Sequence, residues 1–188
     1  MDLSQNERLY QRTEYRVSVP AERAAFLGPV MDGRRAAEAS GRISQHVLSD
    51  ASWAQLPSVM LDAIVRDELA TSGVFAELRP RLTPDTCLVE VAFDRFDAAV
   101  REQPSGRQGL GGVALQVKVH GVEVAGERPL LLERTYAEEI ASEVALQPPN
   151  PRILLGLALR RAMLRMLAEL DQTSVGRTQA AAAPVDPR

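Results

Sequence analysis

The chain is poor in the residues from which reaction centres are usually built. It has one cysteine, Cys87, and two histidines, His46 and His120, among 188 residues. One cysteine closes no intrachain disulfide and, without a second thiol, builds no thiolate zinc site. The histidines stand far apart, with no HExxH-type spacing between them. Aromatic residues make up only 4%, so aliphatic side chains must fill any core. No run of about 18 apolar residues is present to span a bilayer. An excess of positive charge is missing too: 22 basic against 25 acidic residues leave −3. That argues against nucleic acid as the main partner, which needs a basic face. The opening residues, MDLSQNERLYQRTEYR, contain no apolar h-region. They are expected to begin either a cytoplasmic protein or a mature form whose leader has been removed.

What is present reads as one globular domain. Hydrophobic residues reach 45% and charged residues 25%, an ordinary mix for a chain long enough to enclose one core. The organising stretch is 43–78, ISQHVLSDASWAQLPSVMLDAIVRDELATSGVFAEL. A short extended piece at 43–48 leads to a helix start. Asp50 or Ser52 can cap the helix, and Pro57 suits its first turn. Met60, Leu61, Ile64, Val65 and Leu69 recur every three or four residues and form one apolar stripe. Gly73 can take the left-handed conformation that ends the helix, and a strand is expected over 74–78. This predicts a β-α-β unit with its helix lying on a sheet.

Period-two alternation marks the other strands. Tyr15, Val17 and Val19 alternate with polar residues over 13–20, ahead of Pro20. The segment 21–40 is broken by Gly28, Pro29 and Gly33 and reads as a loop with one short helical or extended piece. Cys87, Val89, Val91 and Phe93 share one face of a strand over 86–96. The glycine-rich polar stretch 97–112 reads as a connection. Val113, Leu115, Val117 and Val119 face inward over 113–120, and Gly121 or Ala125-Gly126 then turns the chain into a strand over 130–140. Asn150 and Pro151 open a second helix that is apolar round much of its circumference.

The expected fold is therefore α+β, two-layered, with a mixed, mostly antiparallel sheet and two main helices on one face. Residues 1–12 are expected to be a flexible N-terminal segment, 13–172 the domain, and 173–188 a disordered tail.

Each candidate for chemistry has a plainer reading. GRQGLGG at 106–112 lacks a P-loop Lys-Ser/Thr and leads into a strand, so it reads as a loop. The carboxylate pairs Asp67/Glu68, Asp94/Asp97 and Glu138/Glu139 have no companion histidine and read as solvated faces. Cys87 sits mid-strand among apolar neighbours and reads as a buried structural thiol. Trp53 either braces the turn before the first helix or forms part of a partner surface. Arg152, Arg160, Arg161 and Arg165 share the second helix. They form a solvated face, or a basic strip turned to a partner or to anionic lipid headgroups. No catalytic residue, metal site or cofactor is expected.

The stretch 43–78 resembles the signature region of the ABC-type transport auxiliary lipoprotein component family, whose members accompany MCE-type lipid transport systems in Gram-negative envelopes. In that family a strand leads to a Trp, a Pro-containing helix start, a helix ending near Ser-Gly, and a Phe. Here these are Trp53, Pro57, Ser72-Gly73 and Phe75. The later pattern is similar as well, with Phe93 to Asp97 ending a strand, Leu-Glu-Arg-Thr-Tyr at 132–136, and a C-terminal helix. The resemblance covers about residues 13–172.

It implies a periplasmic, non-enzymatic auxiliary component tethered to the outer or inner membrane. It also implies MCE-domain or other transport subunits as partners, contact with phospholipid, and homo-oligomers. Members carry a leader and an acylated lipobox cysteine. The first residues here carry neither, so Met1 is expected to stand in for that cysteine in a soluble form. Two other readings stay open: another envelope assembly protein, of the lipopolysaccharide-assembly or secretion-pore type, and a cytoplasmic enzyme using Cys87 or a histidine.

Overall fold

The computed structural model describes residues 10–34, 55–173 and 175–177. Among these residues, five strands and two helices are placed in full: β1 (Ala25–Leu27), β2 (Met31–Asp32), α1 (Pro57–Ser72), β3 (Cys87–Gln103), β4 (Gly106–His120), β5 (Leu130–Ala141) and α2 (Pro151–Gln172). The sheet order is β1-β3-β4-β5, with β2 also on β3. β1 and β2 run parallel to β3, while β3, β4 and β5 pair antiparallel. The fold is thus α+β with a mixed sheet, as the alternation predicts.

α1 starts at Pro57, whose ring pre-sets a helical φ and whose missing N–H leaves no bond unmade. Leu56 occupies the N-cap position and supplies no side-chain bond. Gly73 ends the helix at φ 80°, a left-handed value that penalises a side chain. Val74 and Phe75 then fold back into the core. α2 starts at Pro151, behind an Asn150 whose side chain accepts from the Arg152 amide at 3.0 Å. It packs chiefly against β4 and β5, while α1 touches α2 and β2. One continuous core joins the inner faces of β3 and β4 to both helices.

The strands differ from expectation where glycine hides them. The stretch 97–112, read as a connection, is instead the second half of β3 and the first half of β4. In β4, Gly106, Gly109, Gly111 and Gly112 have no side chain to alternate, and in β3 the neighbours Asp97, Ala98 and Ala99 are all buried, so period two is invisible in both halves. The structure shows why glycine is used. A Cβ on Gly111 would overlap the Leu155 amide, and one on Gly112 would strike the Arg95 guanidinium. The backbone of α2 lies against one side of the strand and Arg95 against the other.

A β-bulge at Asp94 separates the pairs Phe93–Leu115 and Arg95–Ala114. It shifts the inward phase by one residue, so Phe93 and Phe96 are both buried and meet edge to face at 6.0 Å. Asp94 and Arg95 are left side by side on the outer face.

Other expectations are corrected. Residues 13–17 do alternate in burial, but they lie against the helices and form no strand. Their backbone bond runs from the Val17 amide to the Ser72 carbonyl. Residues 74–76 bend back toward the core, and the expected strand over 74–78 is reduced to an isolated parallel Leu78–Ala25 bridge at the sheet edge. The loop 21–40 contains β1 and β2. Packing also begins earlier than residue 13, since Tyr10 is buried, and continues past 172 to Val175. The strand expected over 43–48, the caps Asp50 and Ser52, and Trp53 lie outside the described residues.

Candidate functional site

The sheet has two different faces. The inner one is apolar and covered by helices. The outer one is crossed by polar pairs between neighbouring strands. His120 Nε2 stands 3.0 Å from Glu90 across β4 and β3, and Lys118 Nζ stands 2.9 Å from Glu133 across β4 and β5. Gln116 donates to Asp94. Arg95 lies over Gly112 and holds Asp97 at 2.5 Å and Glu139 at 2.7 Å. Arg95 and Asp97 meet two residues apart on one face of β3, and the other partners meet because antiparallel register sets them opposite or diagonal on that face. The bulge makes room for two of these pairs, because it turns both Asp94 and Arg95 outward. Asp97 raises the Arg95 pKa and Glu133 raises that of Lys118, so both cations stay charged.

At the β1 end the edge is interrupted. Gly28, Pro29 and Val30 stand against only Glu90 and Val91 of β3, because β1 and β2 pair on either side of them. Proline offers no amide to the ladder there. On the outer side of this break is a cavity of about 440 Å³, lined by Phe26, Pro29, Met31, Leu88 and Ala92 with Lys118 at its rim. A second cavity of about 710 Å³ lies on the inner side, against α1 near Val59.

The helical layer holds a polar cluster that the sequence reading placed in solvent. Glu68 is 1% exposed. It accepts from the Tyr10 hydroxyl at 2.6 Å, the Thr13 amide at 2.7 Å and the Thr13 hydroxyl at 2.6 Å. Arg12 pairs with Asp67, and Tyr15 donates to Asp171 of α2 at 3.0 Å. Together these bonds clip residues 10–17 across both helices. Burial pushes the Tyr10 phenol well above its usual range, and the neighbouring Glu68 adds to the shift. Leu61, Val65, Glu68 and Ser72 share the buried stripe of α1, so the helical spacing itself contained the signal. Asp97 is another carboxylate expected in solvent and found buried, against Arg95.

The arginines of α2 do not form one strip. Arg152 and Arg161 are nine residues apart, about two and a half turns at 3.6 residues per turn, and so point to opposite sides. Both are exposed. Arg160 donates to the Arg12 carbonyl at 3.3 Å, and Arg165 pairs with Glu138 of β5 at 2.5 Å. Arg160 and Arg165 thus hold the molecule's own segments. The apolar surface of α2 also divides: Leu155, Leu159, Met163 and Leu167 are fully buried, while Ile153 and Leu157 are exposed.

Cys87 is fully buried, with its Sγ 3.9 Å from the Val175 carbonyl. Burial raises its thiol pKa, although Arg23 and Arg128 pull it down. It faces the core, whereas His120 pairs with Glu90 on the outer face. Among the described residues no group of His, Cys, Asp or Glu is placed to hold a metal ion. Nor is any helix among them long and apolar enough to cross a membrane.

These features define a class: a two-layer α+β domain with helices on one face and an open, charge-paired sheet on the other. No family model matches the chain, and no curated protein matches it. Among solved structures it is similar to a hypothetical protein of Chlamydia trachomatis, at 10% identity and TM-score 0.50, over 82% of this chain and 98% of that one. It is similar also to a Xanthomonas campestris protein of the DUF330 family, at 14% identity and TM-score 0.49, over 86% and 91%. A candidate lipoprotein of Caulobacter crescentus gives 12% identity and TM-score 0.46, over 82% and 93%. At such identities the first of these likenesses shows a shared fold and nothing finer.

Proposed function

We propose that this chain is a non-enzymatic auxiliary component, of the lipoprotein type, in an MCE/ABC lipid transport system of the Gram-negative envelope. It works by docking. The carrying observation is the outer sheet face, three long strands wide, where Glu90, Arg95, Asp97, Lys118, Glu133 and Glu139 are already paired within the molecule. Such a face can be covered by a partner without stranding an unpaired charge, which would be costly. The sequence resemblance gives the docking its context. Pro57, Gly73 and Phe75, which carry part of that resemblance, start the first helix, end it and seal it to the core. In the native form a lipid anchor at the N-terminus would hold the domain at a periplasmic membrane surface.

Two observations test this reading. The gene should lie beside genes for an ATPase, a permease and an MCE-domain protein. The purified MCE-domain subunit should bind the purified chain in biolayer interferometry. Lys118→Glu, on the outer face, should abolish binding, whereas Arg161→Glu, on the helical layer, should leave it intact. Absence of binding up to about 100 µM, a binding free energy weaker than roughly −5.5 kcal/mol, would sink the proposal.

A further inference from the structure

The outer edge of β5 carries an order that the fold itself does not use. Among the described residues β5 pairs only with β4. The Ser142 amide bonds the Gly109 carbonyl just beyond the strand. Antiparallel alternation then directs the amides of Tyr136, Glu138 and Ile140 at β4, and those of Glu133, Thr135, Ala137 and Glu139 away from the sheet. Thr135, Ala137 and Glu139 are exposed. The strand runs for 12 residues without a proline or glycine. A free edge of this length is a template for another strand unless its side chains forbid it.

Here the side chains specify a partner. We propose that β5 pairs antiparallel with β5 of a second copy, about a twofold axis at Tyr136. In that register Arg134 lies opposite the second copy's Glu138, and symmetry repeats the pair. Leu132 lies opposite Ile140 on the same face, also twice. Thr135 and Ala137 face each other across the axis and exchange their outward amide and carbonyl bonds. Arg134 already touches Glu169 at 3.0 Å, and Glu138 already touches Arg165. Pairing therefore strings four alternating charges across the interface. On the other face Glu133 comes opposite Glu139, but each already holds its own cation, Lys118 and Arg95. Moving the axis to Thr135 or Ala137 sets Arg134 against Tyr136 or Ile140 and loses both ion pairs. The charges that usually defend an edge thus select one register and one partner.

This deepens the docking reading by naming a second copy as one occupant. Its failure would leave the outer face and its Lys118 test untouched. The experiment is sedimentation velocity on the full chain over a range of micromolar concentrations. Wild type should show a concentration-dependent dimer. Ala137→Pro removes an amide that points to solvent, so it should keep its circular dichroism and melting temperature yet sediment as a monomer. Arg134→Glu and Glu138→Arg should each weaken self-association by roughly tenfold or more, since like charges then face each other twice. Mixed together, those two variants should dimerise. The two introduced charges then oppose each other, and the unchanged Glu138 of one variant meets the unchanged Arg134 of the other. A wild type that stays monomeric, an Ala137→Pro dimer as strong as wild type, or a mixture that fails to associate would each overturn the proposal.

Discussion

A single missing side chain sets how closely the two layers approach. Gly111 sits where the first turn of α2 crosses β4, and Ala98 is its neighbour across the strands. Together these small residues let the helix backbone come down onto the sheet. Gly111→Ala puts a methyl group inside the space of the Leu155 amide, and the contact is backbone on both sides, so no rotamer can relieve it. The substitution should cost about 3 kcal/mol, at the upper end for overpacking, measured as a shift in urea midpoint at unchanged slope. Alanine at Gly126, where a Cβ would touch nothing but φ is 85°, should cost only about 1 kcal/mol, because it meets strain without collision. Similar losses at the two positions would show that α2 does not rest on Gly111.

At the scale of the element, the segment 10–17 behaves as a strap across α1 and α2. Its three bonds to Glu68 replace the water that a buried carboxylate would otherwise need. Glu68→Ala leaves the Tyr10 hydroxyl and both Thr13 donors without their acceptor. It should destabilise by on the order of 3 kcal/mol and expose Arg12 and Arg16 to trypsin well below the global melting temperature. Glu68→Gln keeps one acceptor and should lose less. Equal trypsin resistance in Glu68→Ala and wild type would show that the bonds do not hold the strap. The strap also shows what the sequence made legible. Its alternation was visible, but alternation reports a half-buried extended chain and not what it lies against, and here two helices take the place of a sheet. The same limit applied to β4, where Gly109, Gly111 and Gly112 erased the pattern that Val113 to Val119 display. The outer-face pairs depend on register, and register depends on a bulge at Asp94 that no local composition announces. Glu68 was readable from helical spacing alone, but its neighbour Asp67 made the pair look like solvated surface. Trp53 lies outside the described residues.

For the whole molecule, the core has a consequence in alkali. Tyr10, Tyr136 and Cys87 all belong to the same apolar cluster. In the unfolded chain the thiol ionises near its ordinary 9.0 and the phenols near 10.0. Burial raises all three in the folded state; for Tyr136, Glu169 pushes in the same direction. Above pH 9 the unfolded chain therefore releases protons that the folded chain retains. Because the native state then binds more protons, stability falls as pH rises. The stability these groups supply is complete below pH 9 and is lost progressively above it. Lys118, whose pKa Glu133 raises, adds a small loss of the same sign at still higher pH. The urea midpoint should hold steady from pH 7 to about 8.5 and then decline, first through Cys87 and then more steeply through the tyrosines. Cys87→Ala should delay the onset by about one pH unit, since the thiol titrates first. A midpoint that stays flat to pH 11, or an onset that Cys87→Ala does not move, would mean that these groups ionise alike in the folded and unfolded chain. The sealed core that joins the strap, the sheet and both helices would then be wrong.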